Sequence, residues 1–416
     1  MDYSAEIITI GDEILYGEII DTNSSWLASE LSKLGLSVRK KVSVGDSLKE
    51  ILSTLTESVK QSNLIIITGG LGPTNDDVTK KALCDFFDTR LKPDDQTLQN
   101  LETFFSKKGR VLTERNKEQA LVPEKSQVLH NHWGTAPGLL FVQDHHLIVA
   151  LPGVPIEMKN IFNEHLVPII KKKFNTPYII HKNIKTAGLG ESWLADLLKD
   201  WEKALPTNIS LAYLPSPGQV KLRLTAKGED KQALENHLEE EVAKLREIAG
   251  KYIFSYDSEN LELIAGKHLQ KRGLSLATAE SCTGGYLGHL ITSVPGSSEW
   301  YKGGVIAYEN TIKNAILSVD NKTLNIFGAV SEQTVKEMAE GVRKITNADI
   351  GISSSGIAGP GGGTIEKPVG TVWLSIAGPK GTISKKLTLG TDRIYNIEAS
   401  GTAALTLLLE NLKKIT

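Results

Sequence analysis

Over residues 1–173, short apolar runs alternate with amphipathic stretches. Residues 5–10, mostly apolar with Glu6 and Thr9 among them, end at Gly11 and predict a buried strand. Trp26, Leu27, Leu31 and Leu34 recur at helical spacing and predict a helix over 22–35. Val38, Val42 and Val44 alternate within a strand at 37–44. A helix at 48–59, a strand at 64–68, a helix at 76–87, a strand at 147–151 and a helix at 156–173 complete the pattern. Such alternation predicts a parallel sheet with helices on both faces, with ligands held beyond the carboxyl ends of the strands. Residues 174–256 predict a smaller α+β module. It has a strand at 178–186, a helix at 191–205, alternation at Val220, Leu222, Leu224 and Ala226, and a helix at 234–249. Trp193, Leu194, Leu197, Leu198 and Trp201 form one stripe of its first helix. Residues 257–416 return to α/β. Helices are predicted at 261–271, 282–292, 331–345 and 396–412, and strands at 274–279, 304–308, 350–355, 369–377 and 384–389. The expected division is therefore 1–173, 174–256 and 257–416.

Composition narrows the class. Apolar residues are 40% and charged residues 23% of 416, so each domain can bury its own core. With 47 basic and 49 acidic residues the net charge is −2, and no segment is biased enough to name a polyanionic partner. Direct nucleic-acid contact is not expected. Cys84 and Cys282 are too few for a disulfide scaffold or a cysteine-built zinc site. The uncharged stretches 281–298 and 350–365 are broken by Gly, Ser and Pro, so no membrane span is expected. No basic, apolar leader precedes the first strand, and a cytoplasmic protein is expected.

The 37 glycines exceed the usual share and cluster at 69–72, 134–138, 284–288, 303–304, 356–363 and 370. Such clusters predict close approach of backbone to ligands. In the first, Gly69, Gly70 and Gly72 lie between a strand and a helix expected to start near Asp76, a pattern that cradles phosphate. Asp76 and Asp77 would repel a bare phosphate, which suggests a divalent metal between them and the ligand. The plainer alternative is that Asn75 or Asp76 only caps a helix. Asp12 and Glu13 after the first strand supply a second wall, and the loop with Thr135 a third.

The last segment carries different chemistry. Ser281 and Cys282 stand at a strand-to-helix turn, where helix N–H groups can stabilise an oxyanion. Either side chain could be the nucleophile, the thiol being partly ionised at a helix start. His268 and His289 lie on helices, so Lys313, just past a strand with Tyr308, is the alternative base if it is desolvated. Taken alone, Lys313 reads as a surface helix residue. The glycine loop 356–363 and Arg393 before the last helix suit a phosphate or ribose.

These motifs carry a family resemblance. Residues 11–17, Thr22-Asn23, 68–77, Asn116, Gln119-Ala120, 134–138 and 151–158 resemble the N-terminal domain of the CinA (competence/damage-inducible) family. Residues 279–285, 295–298, Gly303-Gly304, Tyr308, Asn310, Lys313, 328–331, 356–363 and 367–372 resemble its C-terminal domain, and the middle module resembles its KH-like domain. The resemblance implies a molybdopterin-binding-like three-layer α/β/α domain over 1–173, a small α+β linker over 174–256, and an α/β nicotinamide-nucleotide amidase domain over 257–416. It implies hydrolysis of ADP-ribose to AMP and ribose 5-phosphate at the first domain, with a divalent metal (magnesium or cobalt) helped by potassium. It implies deamidation of nicotinamide mononucleotide at the last, without a cofactor, and a homodimer. Carried over by motif, Asp12, Glu13, Asp76 and Asp77 hold metal, with Asp77 also catalytic. Gly69, Gly70, Gly72, Thr74, Asn75 and Thr135 contact the first substrate. Ser281 is the nucleophile and Tyr308, Lys313 and Ser355 assist it. Thr283, Gly284, Gly285, Gly356, Gly359, Gly361, Gly362 and Arg393 bind the second substrate. Three positions depart from the family pattern: Ser355 replaces Thr, Glu309 replaces Ser, and Ile397 replaces a second Arg, which weakens phosphate clamping. Non-catalytic pterin or nucleotide binding by the first domain, and an accessory role in DNA uptake or repair, are the alternatives.

Overall fold

The computed structural model describes residues 3–74, 76–143, 145–257 and 259–416. It divides into two compact units: one holds Met1–Ile180 with Lys227–Gln232, the other His181–Ala226 with Ala233–Thr416. The first is built on a six-stranded sheet. Ser4–Ile10, Ser37–Val44, Leu64–Thr68 and His146–Leu151 run parallel. Gly138–Gln143 and Gln127–Leu129 extend it antiparallel. The sheet is thus mixed rather than wholly parallel as expected, because Gly138–Gln143 returns beside His146–Leu151 as a tight hairpin.

Ala5 and Ile7 face one core with Leu27, Leu31, Met158 and Ile161. Ile8 and Ile10 face the other with Ile51, Leu55, Ala82 and Leu83. Strand alternation therefore sorts the helices into two outer layers. Asp21 caps Thr22–Lys33, its carboxylate accepting from Ser24 N at 2.9 Å. The helix expected at 156–173 is continuous but contains a π-helical turn at Phe162–Leu166, just before Pro168. Proline there has no N–H to return to the carbonyl four residues back.

The second unit includes most of a four-stranded sheet and of the helices Glu191–Lys203 and Lys231–Ala249. The remainder is a five-stranded sheet. Tyr301–Ile306, Leu276–Glu280 and Ile350–Gly356 run parallel, and Thr371–Gly378 and Gly381–Thr388 are antiparallel. Leu276, Ile350 and Ile352 pack against Leu261–Arg272, Tyr286–Thr292 and Arg393–Ile415. Ala277 and Ala279 pack on the other face against Leu317, Met338 and Val342. Among the described residues, no helix is long and apolar enough to cross a membrane.

Candidate active sites

The parallel strands Ser4–Ile10, Leu64–Thr68 and His146–Leu151 end at one edge of the first sheet. A cleft of about 480 Å³ opens there, lined by Gly11, Glu13, Asp46, Gly69, Gly72, Asp76, Asp77, Thr135, Gly153 and Glu157 among others. Successive strands leave Ser4–Ile10 on opposite sides, so the cleft lies at the switch point of the sheet. Gly69 has φ +109°, and a Cβ there would lie 2.1 Å from the Ile10 carbonyl oxygen. Its missing side chain lets two strand ends meet, which differs from the expected approach to a ligand.

The turn that follows closes on itself. Asp77 accepts from Gly72 N at 2.8 Å, from Thr74 N at 2.9 Å, and from the Thr74 hydroxyl. Of the amides expected to cradle phosphate, that of Gly72 is therefore held by a carboxylate of the same loop, and that of Gly69 by Leu151 O. The helix begins only at Thr79, three residues later than expected. Asn75 lies outside the described residues.

The acidic wall is larger than the sequence suggested. Asp12 N donates to Asp46 at 3.1 Å, and Asp46 N donates to Asp12 at 3.3 Å. Burial, and then the charges of Asp12, Glu13 and Asp76, hold the Asp46 carboxyl above its usual range, against a hydrogen bond from Asp12 N. Glu13, Asp46 and Asp76 line the cleft, whereas Asp12 braces Asp46 from behind. Among the described residues, no three His, Cys, Asp or Glu side chains converge as a metal-holding group.

Sequence reasoning also passed over Glu157. It is 8% exposed and accepts from Asn131 Nδ2 at 2.6 Å and Thr135 N at 3.2 Å. Burial raises its carboxyl above the usual range despite those bonds. A Cβ at Gly134 would fall 1.9 Å from the Glu157 carboxyl carbon, which would have flagged the pair only in three dimensions.

In the second unit Ser281 follows the strand Leu276–Glu280. It is 8% exposed, and its N–H donates to Ser354 O at 2.9 Å. Among the described residues its hydroxyl has no hydrogen-bond partner. The helix starts at Tyr286, four residues later than expected, because Glu280 reorganises the turn. Its carboxylate is 2% exposed. It accepts from Gly285 N at 3.0 Å, Leu287 N at 3.0 Å, Gly288 N at 2.8 Å and the Thr283 hydroxyl at 2.7 Å. Three N–H groups at the helix start are thus already taken, so they are not the oxyanion donors the sequence suggested. Gly284 and Gly285 supply the left-handed φ values of +60° and +99° that the turn requires.

Cys282 is buried, and burial pushes its thiol up to about 12, so the expected partial ionisation does not hold. Lys313 is not a surface residue: it is 1% exposed, and its ammonium donates to Ala307 O at 2.8 Å and Tyr308 O at 3.1 Å. Burial lowers its pKa. Among the described residues no hydrogen bond joins Ser281 to Lys313 or to the Tyr308 side chain. Arg393 donates to Gly359 O at 2.7 Å and to the Tyr308 hydroxyl at 3.1 Å, and so brings two expected substrate-binding residues together with the expected catalytic Tyr308. Asp392 caps that helix, accepting from Tyr395 N at 2.7 Å. The Ser355 hydroxyl donates to Ala329 O at 2.8 Å. Gly356 and Gly359 accommodate neighbouring protein atoms, whereas Gly361 has open space around it and Gly362 nearly so. His268 and His289 are exposed on their helices. Asn396, unremarked in the sequence, is fully buried and ties Ala358 O and Gly390 O together at 2.9 Å each.

Three family models match along the chain: a probable molybdopterin binding domain over 6–172, a damage-inducible protein CinA KH domain over 181–255, and a CinA C-terminal domain over 258–412. A CinA-like protein of Cytophaga hutchinsonii is 50% identical, covering 99% of this chain and 98% of its own. A putative competence-damage inducible protein of Halothermothrix orenii is 45% identical over 94% of each. Among solved structures, the competence/damage inducible protein CihA of Agrobacterium tumefaciens is 36% identical, covers 38% of this chain and 98% of its own, and has a TM-score of 0.36.

Proposed function

The chain belongs to the CinA family, and on that premise we propose that it is a two-headed nucleotide hydrolase. The last domain deamidates nicotinamide mononucleotide to nicotinic acid mononucleotide and ammonia. The observation that carries this is the burial of Lys313 against two backbone carbonyls. A neutral lysine has two N–H donors and one lone pair. The Ala307 and Tyr308 carbonyls match the two donors, which leaves the lone pair for a proton. Burial favours that neutral form. In this reading the Ser281 oxygen attacks the carboxamide carbon and its proton passes to Lys313. The C–N bond breaks and ammonia leaves with that proton. Water then hydrolyses the ester, and the serine regains its hydrogen. Cys282, protonated and buried, takes no part. Arg393 uses two of its five N–H groups on Gly359 and Tyr308, so others remain for the substrate phosphate.

The first domain hydrolyses ADP-ribose to AMP and ribose 5-phosphate. The hard oxygen donors of Glu13, Asp46 and Asp76 suit a divalent cation. Because no three of the described side chains converge, such an ion would share its coordination with the substrate diphosphate. When bound, it would neutralise charge on that group. Asp77 holds the glycine turn in shape, and Thr135, tied to Glu157, forms the opposite wall.

The lack of a converged donor set also favours a second reading, in which the first domain binds a pterin or nucleotide without turning it over. One experiment separates them: incubation with ADP-ribose and nicotinamide mononucleotide, with and without magnesium or cobalt, followed by product identification. Ammonia without AMP would leave the binding module; neither product would remove both activities.

A further inference from the structure

The apolar stripe of the helix Glu191–Lys203 divides in the structure. Leu194, Leu198 and Trp201 are buried, but Trp193 is 68% exposed. Its ring lies against Gly190, where a Cβ would sit 2.9 Å from Cε3. Trp193 and the segment 188–190 thus form one wall of a cavity of about 590 Å³. Lys385 and Leu387, from the strand Gly381–Thr388, and Tyr395 form another. The hairpin turn at Gly218 also lines it, and Thr402, on the helix that carries Tyr395, anchors that turn by donating to Pro217 O at 3.2 Å.

The volume lies within the small-molecule range. Two large aromatic residues stay exposed on its lining, Tyr395 at 44%. The Lys385 ammonium has no hydrogen-bond or ion-pair partner among the described residues. None of Ser281, Tyr308, Lys313 or Arg393 lines the cavity, so it is separate from the site described above. An uncommitted cation beside exposed aromatic faces suits a planar ring joined to an anionic group. We propose that this cavity binds a mononucleotide, with its heterocycle against Trp193 and Tyr395 and its phosphate at Lys385.

The test uses the full chain carrying Ser281→Ala, so that catalysis by the last domain plays no part, with AMP as probe. AMP should quench tryptophan emission saturably, and that component should vanish in Trp193→Phe. In equilibrium dialysis, Trp193→Ala should weaken AMP binding by roughly tenfold. Lys385→Ala should weaken AMP but leave adenosine unchanged, and ribose 5-phosphate should not bind there. Quenching that persists in Trp193→Phe, or AMP affinity unchanged in both Trp193→Ala and Lys385→Ala, overturns the proposal. Failure of either proposed hydrolysis leaves this readout intact, because it measures binding alone.

Discussion

After Leu64–Thr68 the chain makes a glycine turn whose amides are gathered by Asp77. After Leu276–Glu280 it makes another, whose amides are gathered by Glu280. In both, an internal carboxylate occupies the place where a glycine-rich turn before a helix would otherwise receive a phosphate. The surroundings differ. Around Asp77 stand further acids, Glu13, Asp46 and Asp76, and their like charges crowd one cleft. Near Glu280 stand instead a buried lysine, Lys313, and an exposed arginine, Arg393, whose charges both act on the Cys282 thiol. A self-filled turn is scaffold, and the chemistry has to come from what surrounds it.

The largest effect expected is from Ser281→Ala. Ammonia release from nicotinamide mononucleotide should fall at least ~10³-fold with AMP formation unchanged. Appreciable residual turnover would remove Ser281 as nucleophile and break the contrast between the two heads.

Glu280→Gln tests the buried scaffold. An amide can accept on one oxygen only, and its N–H₂ would face N–H donors. Stability in a denaturant titration should drop by about 2 kcal/mol or more, and ammonia release by about a hundredfold. A neutral outcome would mean that the turn holds without its carboxylate.

Asp77→Asn makes the same change in the more exposed turn. A stability loss of about 1 kcal/mol is expected, with AMP formation down about tenfold and ammonia release untouched. Parallel loss of both activities in folded protein would argue that the heads are not independent.

A different test concerns Lys80, which donates to Gln119 O at 3.0 Å; burial lowers its pKa from 10.5 to about 8, against the charge of Asp77. Between those values the unfolded chain holds more protons than the folded one, so stability should rise with pH across that window. Lys80→Met should flatten the rise, measured by denaturation at several pH values; an unchanged slope would place its origin elsewhere.

Much of the scaffold could be read from the chain. The buried strands at 64–68 and 147–151 show as apolar runs, and that at 5–10 does so despite Glu6 and Thr9 within it. Other elements left weaker signals. Leu91–Pro93, Leu121–Pro123 and Gln127–Leu129 are three residues each, too short for a period. The helix Asp95–Lys107 was overlooked, although Asp94 is its cap and Leu98, Leu101 and Phe105 recur at helical spacing. Both helices expected at the glycine turns start late; at the second, Glu280 captures the amides of Gly285, Leu287 and Gly288. Motif spacing drew attention to Ser281, Lys313 and Arg393. It could not reveal that Lys313 is enclosed, or that Asp46 and Glu157 join the first cleft, since those facts depend on contacts between distant strands.

The Glu280 turn has a consequence for isotope exchange and for ligand entropy. Amides at Gly285, Leu287 and Gly288 are locked before any substrate arrives, so their protection should change little on binding. The stretch around Gly361 and Gly362 has little packed against it. Whatever ordering a nucleotide imposes falls mainly on that side, so its affinity should respond more to stiffening that loop than to any change in the serine turn.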